Sequence, residues 1–406
     1  MKSEQPLLGR RGTLLLLVIL GAFPPTTMDL YLPALPQIAD SFGVTRGFVN
    51  LTLGAYMVAY AFGMLFWGPL SEKFGRKPIL LVGLAFYVLA SLGCAFSYHI
   101  EPLIVFRTLQ GFGGGAVTVV ETAIVKDLYE GRERERILAT VMSLVIIAPM
   151  VAPVLGAALL KFASWHAIFV VLTLFGAFAT VLVVLFRETL VEPYDGPVLK
   201  SWSRLGTVLR NPHFAYLLLI FALAPMCLMS FIGSAAYIYV DGFGMSEQAF
   251  SLIFALNAVC AMVGPMLYMR LSQVMPVQTF IRGGFALIVL CGLMIALFGD
   301  RAPWLFAAFA AVSTIAVVSL RVPGTNLILE QQQHDAGSAA ALIHFSTTML
   351  GAAGVQLVAA HSGDLTPTLG GLFVTVGVIC SMTWLLIQNR PFVIDKLVKE
   401  GDRKVV

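Results

Sequence analysis

Long apolar stretches are the feature that most constrains how this chain can fold. Of its 406 residues, 58% are hydrophobic and 12% are charged, whereas about a quarter are charged in typical soluble domains. About 20 apolar residues span a bilayer as a helix, and the backbone polar groups there must be satisfied inside the protein. We therefore predict an all-α membrane protein. Twelve stretches are long enough to span: 13–35, 48–70, 78–96, 103–125, 137–160, 166–185, 214–237, 250–269, 280–298, 303–328, 336–360 and 368–388.

The longest polar connection follows the sixth stretch and divides the chain into halves. Residues 187–212 are predicted to be a linker between an N-terminal six-helix bundle, 1–186, and a C-terminal six-helix bundle, 213–390. Residues 391–406 form a polar tail. Two bundles around a central cavity are the geometry of alternating-access carriers.

Lysine and arginine are distributed unevenly between the two sides of the predicted membrane. Twenty-one of the 26 lie in the termini and in alternate connections, whereas Arg46, Lys161 and Arg301 lie on the opposite side. Because positive charge favours the cytoplasmic side, we expect a multi-pass protein of a bacterial inner membrane with both termini cytoplasmic. The basic residues lie in short loops, so binding to nucleic acid is not indicated.

No cofactor is predicted. The five cysteines lie singly inside apolar stretches, which indicates neither a disulfide framework nor a metal site. No nucleophile with a base and no nucleotide-binding loop is apparent, so neither an enzyme nor an ATP-driven pump is expected. A proton gradient remains as the source of energy.

The connection between the second and third stretches carries a specific motif. Gly68-Pro-Leu-Ser-Glu72-Lys-Phe-Gly75-Arg76-Lys-Pro resembles the loop signature of the major facilitator superfamily, GxLaDrxGRrp. Glu72 and the lysine after it replace the usual Asp and Arg with charge preserved. The resemblance implies the major facilitator fold, with twelve transmembrane helices in two bundles around a central cavity.

Two further motifs narrow the resemblance. Arg107-Thr-Leu-Gln110-Gly-Phe-Gly looks like the RxxQGxG motif of proton-coupled members. Residues 148–159 are similar to the antiporter motif of the fifth helix, with Pro149, Pro153 and Gly156 in place. These prolines and the glycine are expected to bend the helix at the bundle interface, where movement of the bundles must be absorbed. The alternative is an ordinary kink without a role in transport.

Five other segments resemble the Bcr/CflA branch of the superfamily: 28–39, 51–63, 123–129, 254–258 and 336–342. The resemblance implies export of drugs such as bicyclomycin or chloramphenicol, or of related small molecules, in exchange for protons. We expect a monomer that binds its substrate and protons within the lipid bilayer.

Asp29 is the leading candidate for the proton carrier. A carboxylate inside a membrane is costly unless it is protonated, paired or hydrated. Arg107 in the oppositely directed fourth stretch is expected at similar depth, so the two are predicted partners. Protonation of Asp29 would release Arg107, and substrate and proton would exclude each other. The alternative is a permanent ion pair that only joins two helices.

Glu121 is a second candidate proton site. It follows Arg107 by 14 residues, close to four helical turns, and so lies on nearly the same helix face,. It would bind a cationic substrate or a second proton. The alternative is a carboxylate that reaches the interface beside Lys126.

Charged side chains also mark the C-terminal half and the loop motif. Arg321 and His344 are predicted to contact substrate or to complete a proton path. The alternatives are that Arg321 snorkels to the membrane interface and that His344 is an ordinary hydrogen-bonded packing residue. At the loop, Glu72 is expected near the start of the eleventh helix, around Gly337 and Ser338. Arg76 is expected to pair with Asp127, which would hold the cytoplasmic side closed.

Large apolar and polar side chains of several stretches are predicted to line an adaptable substrate pocket, although ordinary packing explains any single one of them. The predicted substrate-binding set is Tyr56, Gln110, Met142, Met226, Phe231, Tyr237, Asn257, Arg321 and His344. The alternative function is a proton-coupled transporter of a specific metabolite on the same fold. The antiporter-like fifth helix favours export.

Overall fold

The computed structural model describes residues 5–129, 137, 140, 141, 145, 147–190, 196, 198–332, 336–361 and 363–395. In chain order the helices are α1 (Gly9–Gly21), α2 (Phe23–Asp29), α3 (Leu35–Phe42), α4 (Arg46–Phe74), α5 (Arg76–Ala95), α6 (Ile100–Leu128), α7 (Ala148–Leu159), α8 (His166–Leu185), α9 (Val198–Leu209), α10 (Pro212–Ala236), α11 (Glu247–Leu271), α12 (Val277–Phe298), α13 (Pro303–Leu329), α14 (Ala336–Ala359) and α15 (Leu365–Ile387). No strand occurs among these described residues, so the predicted all-α fold class is confirmed.

Ten helices are long and apolar enough to cross a membrane, or eleven when the bent first span is counted. They match the predicted stretches apart from the fifth, 137–160. Of that stretch the structure describes α7 and a few single residues. Helix α7 has 12 residues, fewer than the roughly 20 that a span requires. The predicted total of twelve spans therefore stays a prediction.

The first predicted span is bent. Helix α1 and the segment Phe23–Phe42 meet at 43°. Two prolines occupy the first turn of α2, and proline lacks the N–H that would bond back to the preceding turn. A 3₁₀ turn at Leu32–Ala34 then separates α2 from α3. Asp29, the last residue of α2, consequently lies where regular helix stops.

The chain folds as two compact units, 1–202 with 246–255 and 203–245 with 256–406. In the first unit α6 packs against α4 and α5. In the second, α10 packs against α14, and α12 packs against α15. The division at residue 202 falls within the segment predicted to be a linker, and the predicted bundle bounds stay predictions.

Helix α6 approaches α4 so closely that a side chain on Gly111 has no room. A Cβ there would collide with the Tyr56 carbonyl oxygen. Small residues permit such close approach between helices in membranes. Gly111 lies one helical turn after Arg107, so this contact holds the Tyr56 backbone near Arg107.

The predicted linker contains α9, which is anchored to the first unit by Trp202. The Trp202 Nε1–H donates a hydrogen bond of 3.2 Å to the carbonyl oxygen of Leu65 in α4, and its ring packs on Phe66. Leu65 lies four residues before Pro69, which has no N–H to donate to that carbonyl,. The indole of the linker therefore replaces a hydrogen bond that proline removed from α4.

We expect Trp202→Phe to lower stability by about 1 kcal/mol, because it leaves the Leu65 carbonyl without its donor. Pro69→Ala restores a backbone N–H at that position. The cost of Trp202→Phe is therefore expected to shrink in the Pro69→Ala background. Thermal unfolding of the four proteins in detergent measures this coupling, and equal costs in both backgrounds would contradict the proposed replacement.

Candidate functional site

Arg107 is fully buried within the first unit. Its guanidinium carbon is 4.7 Å from the ring centroid of Tyr31, 4.4 Å from that of Tyr56 and 5.9 Å from that of Phe169. We refer to these three rings as the aromatic cage. A desolvated cation over an aromatic face gains about 2 kcal/mol per contact. The cage thus offsets part of the cost of burying a charge.

A chain of hydrogen bonds continues from Arg107 into α5. The Nη1–H of Arg107 donates to Gln110 Oε1 at 2.6 Å, and Gln110 Nε2–H donates to Ser91 Oγ at 2.7 Å. The Ser91 hydroxyl donates to the Tyr87 carbonyl. Gln110 is fully buried, and it links Arg107 to the neighbouring helix. Its predicted role in substrate binding stays a prediction.

Hydrogen bonds between hydroxyl groups join the first span to the neighbouring helices. The Tyr31 hydroxyl lies 2.8 Å from Thr52 Oγ1, which itself donates to the Val49 carbonyl. The hydroxyls of Tyr87 and Thr27 lie 2.7 Å apart. These contacts attach the broken first span to α4 and α5 on either side of Asp29.

Asp29 is buried, at 7% exposure, but it makes no ion pair with Arg107 within the described part of the chain. The predicted pairing of the two residues is therefore absent from this state, as is the permanent ion pair considered as its alternative. The Arg107 cation faces the aromatic cage instead. Its Nε–H and Nη2–H groups donate no hydrogen bond to any described residue.

Gly156 of α7 packs directly against the residue that follows Asp29. A Cβ at position 156 would collide with the Leu30 carbonyl oxygen, and α7 packs along α2 and the 3₁₀ turn. Pro149 opens α7 and Pro153 lies inside it. The helix-five motif thus touches the broken first span beside the buried carboxylate.

Glu121 is buried in α6, at 8% exposure. Its Oε2 accepts a hydrogen bond of 3.3 Å from the Thr122 hydroxyl. Among the described residues it forms no ion pair with Lys126. The predicted alternative of an interfacial carboxylate beside Lys126 therefore does not match this structure.

Several predicted pocket residues pack inside their own unit. Met226 meets Gly354 of α14, and Phe231 packs on Phe306 of α13. Tyr56 belongs to the aromatic cage, and Tyr237 and Asn257 are buried. Met142 lies outside the described residues. A substrate role for these residues stays a prediction.

Arg321 and His344 lie together in the second unit. They occupy α13 and α14, two helices that pack against each other. Both side chains are exposed. Their predicted roles in substrate contact or a proton path stay predictions.

The loop motif forms a compact network. Arg76 Nε–H donates to Asp127 Oδ2 at 2.8 Å, which confirms the predicted ion pair. Arg76 Nη1–H also donates to Ser71 Oγ, and Ser71 donates to the Gly68 carbonyl. Glu72 is exposed, and its contact with the eleventh helix stays a prediction.

Glu188, which the sequence analysis did not single out, holds the start of α5. Its carboxylate accepts four backbone N–H groups, from Arg76, Lys77, Thr189 and Leu190, at 2.8–3.0 Å. Gly75 has a φ of 103° and its Cα faces this carboxylate closely, so a side chain would be strained and obstructed there,. The sequence signal that could have indicated this role is the position of Glu188, an acid shortly after the end of the sixth apolar stretch.

We expect Gly156→Ala to lower stability by about 1–3 kcal/mol, because its methyl group overlaps the Leu30 carbonyl. Gly54→Ala in α4 is the matched control, since a Cβ there meets no described atom within 4 Å. Thermal unfolding in detergent distinguishes the two. Equal stability of both variants would show that α7 does not contact Leu30 tightly.

Glu188→Gln is expected to destabilise the chain by about 1 kcal/mol although it preserves shape. The amide places an N–H where Glu188 Oε2 accepts the N–H of Lys77. Glu101→Gln, an exposed acid in the first turn of α6, controls for the loss of charge near a helix N-terminus,. The measurement is again the midpoint of thermal unfolding. An equal loss of stability in both variants would mean that the effect comes from the loss of charge and not from the hydrogen bonds of Glu188.

Comparison with known proteins identifies the family. Residues 17–356 match the family model described as Major Facilitator Superfamily. The uncharacterized MFS-type transporter YdgK of Bacillus subtilis is 32% identical over 369 residues, which cover 89% of this chain and 91% of that protein. The bicyclomycin resistance protein homolog of Haemophilus influenzae is 30% identical over 396 residues, or 93% and 96% of the two chains.

Multidrug resistance protein D of Escherichia coli is 26% identical over 390 residues, which cover 93% of this chain and 96% of that protein. These relatives match the chain over nearly its whole length, and the family model covers the bend of the first span, the aromatic cage and the loop network. The chain is a multi-pass membrane transporter of the major facilitator superfamily, within the Bcr/CflA branch.

Proposed function

We propose that this transporter exports small amphipathic drug-like molecules across a bacterial inner membrane in exchange for protons, by alternating access. The names of two long relatives, a bicyclomycin resistance homolog and a multidrug resistance protein, support drug export. The uneven distribution of Lys and Arg supports cytoplasmic termini,. In this proposal the protein works as a monomer without a cofactor.

The buried state of Asp29 carries the proposal. This carboxylate sits at the end of α2, where the first span loses regular helix, and makes no ion pair among the described residues. A buried acid without a counter-charge favours its neutral, protonated form. Such a group takes up a proton in one conformation and releases it when a cation or water reaches it in another.

Arg107 is the proposed counter-charge. Tyr31, two residues after Asp29, already stacks on its guanidinium, so the first span needs only a local change for the two groups to meet. The Nε–H and Nη2–H groups of Arg107 are available to a carboxylate. Pairing with deprotonated Asp29 would draw the cation from the aromatic cage, and protonation would return it.

Helix α7 is proposed to couple this exchange to movement of the first span. Gly156 lets α7 contact the Leu30 backbone, so a shift of Asp29 is transmitted to a helix that contains Pro153. Arg76 and Asp127 would lock the cytoplasmic end in one state, with Glu72 contributing a second contact. Glu121 is a second proposed proton site or a site for a cationic substrate group.

A drug-susceptibility panel in an efflux-deficient bacterial host tests the function. Wild type is expected to raise resistance to at least one amphipathic compound, and Asp29→Asn is expected to reduce it to the level of empty vector. Asp40→Asn, an exposed acid of α3, serves as the control and should protect like wild type. Protein levels in the membrane are compared by immunoblotting.

Inverted membrane vesicles test the coupling and its direction. A compound from the panel should release protons from vesicles that carry wild type and should release none from Asp29→Asn vesicles. An unchanged signal in Asp29→Asn would contradict the role of this residue. Uptake of a metabolite into intact cells without any drug protection would favour the importing alternative.

A further inference from the structure

The residues that directly follow α8 are bonded to several parts of the first unit. We call residues 187–190 the exit segment. Glu188 accepts backbone N–H groups at the start of α5, and the Thr189 hydroxyl lies 3.5 Å from Asp127 Oδ2. This Asp127 oxygen is the one that accepts the Nε–H of Arg76. The exit segment therefore contacts both the backbone and the ion pair of the loop motif.

Gln5, near the N-terminus, holds the first residue of the exit segment. Its Nε2–H donates to the Arg187 carbonyl at 3.1 Å, and its Oε1 accepts the Arg187 N–H at 2.8 Å. Only 3% of Gln5 is exposed. A primary amide carries both a donor and an acceptor, so it can pair with both backbone groups of one residue. These two bonds fix the position and the rotation of the Arg187 backbone.

The Gln5 side chain is placed by a closed turn. The Gly9 N–H donates to the Gln5 carbonyl at 2.7 Å, and Gly9 adopts a φ of 58°, which glycine tolerates,. The Thr13 hydroxyl donates to the Gly9 carbonyl at 2.7 Å. Helix α1, which begins at Gly9, packs against α8. The turn thus brings Gln5 to Arg187, two residues after α8 ends.

The contact with Gln5 is passed on to Glu188, because Glu188 follows Arg187 directly in the chain. The Glu188 carboxylate accepts the N–H groups of Arg76 and Lys77 at 3.0 and 2.9 Å. Such bonds require about 2.7–3.2 Å, so a displacement of the exit segment by about 1 Å would break them. The position of Arg187 therefore controls whether α5 keeps these acceptors at its first turn.

We propose that Gln5 is a positioning residue for the loop motif. By holding Arg187 it keeps Glu188 in place against the start of α5. The start of α5 in turn keeps Arg76 aligned with Asp127. The inference rests on the proposed function only in that this ion pair is proposed to lock the cytoplasmic end. A contact at the N-terminus thus contributes to that lock.

Hydrogen–deuterium exchange of the purified protein in detergent tests the transmission from Gln5 to α5. Gln5→Met keeps the length of the side chain but removes both amide groups. It should speed exchange in peptides that contain residues 187–190 and in peptides that contain the N–H groups of Arg76 and Lys77. An increase of about 5-fold to 30-fold is expected, the factor that corresponds to the loss of one or two hydrogen bonds.

Gln273→Met is the matched control, because Gln273 is an exposed glutamine in the connection after α11. It should exchange like wild type at both places. Unchanged exchange at the start of α5 in Gln5→Met would overturn the proposal, even if residues 187–190 exchanged faster. Gln5→Asn is the second variant should Gln5→Met fail to fold. Its shorter side chain cannot keep both bonds, so it should also speed exchange at both places, and the same result would overturn the proposal.

Thermal unfolding distinguishes a positioning role from a purely local contact. Asp127→Asn breaks the ion pair with Arg76 and preserves the shape of the side chain. If Gln5 aligns this pair, the decrease in Tm caused by Asp127→Asn should be about half as large in the Gln5→Met background as in wild type. Equal decreases in both backgrounds would show that Gln5 stabilises the exit segment alone, and would contradict the proposal.

Neither experiment requires a transported compound. A failure of the proposed drug export would therefore leave both tests of Gln5 intact. Conversely, wild-type exchange in Gln5→Met would leave the proton-release assay of Asp29→Asn unaffected.

Discussion

The burial of the Arg107 guanidinium is the constraint around which the first unit is built. A charge in the membrane interior must be compensated, and here three aromatic rings and Gln110 provide the compensation,. Each ring comes from a different part of the unit, since Tyr31 follows α2, Tyr56 lies in α4 and Phe169 in α8. The bundle therefore cannot rearrange without changing the surroundings of this cation.

Prolines within the helices leave backbone groups without their helical hydrogen bonds, and this affects the structure at two places. Pro69 leaves the Leu65 carbonyl without its helical donor, and Trp202 of the predicted linker supplies one. Pro24 and Pro25 follow the bend of the first span, and Asp29 lies just beyond. At Pro69 a helical hydrogen bond is lost, and the distant Trp202 replaces its donor. At the bend of the first span regular helix is interrupted, and the buried Asp29 lies beside the interruption,.

Charged side chains are distributed differently among the helices of the two units. The first unit contains Asp29, Arg107 and Glu121, whereas α10, α13 and α14 of the second contain Arg321 and His344 and no acid. This asymmetry gives the halves different chemistry on a common scaffold. Proton exchange is proposed for the first half.

The sequence alone determined the fold class and the motifs, because hydrophobic length and motif spacing are local properties of a chain. It identified Asp29 and Arg107 as buried charges for the same reason. The expectation of an Arg76–Asp127 ion pair came with the loop motif, and the structure confirmed it. Only the tertiary structure showed that Arg107 faces aromatic rings instead of Asp29, and that Glu188 and Trp202 satisfy backbone groups of distant helices. Those contacts depend on how helices rotate and approach one another, which no residue's own sequence position specifies.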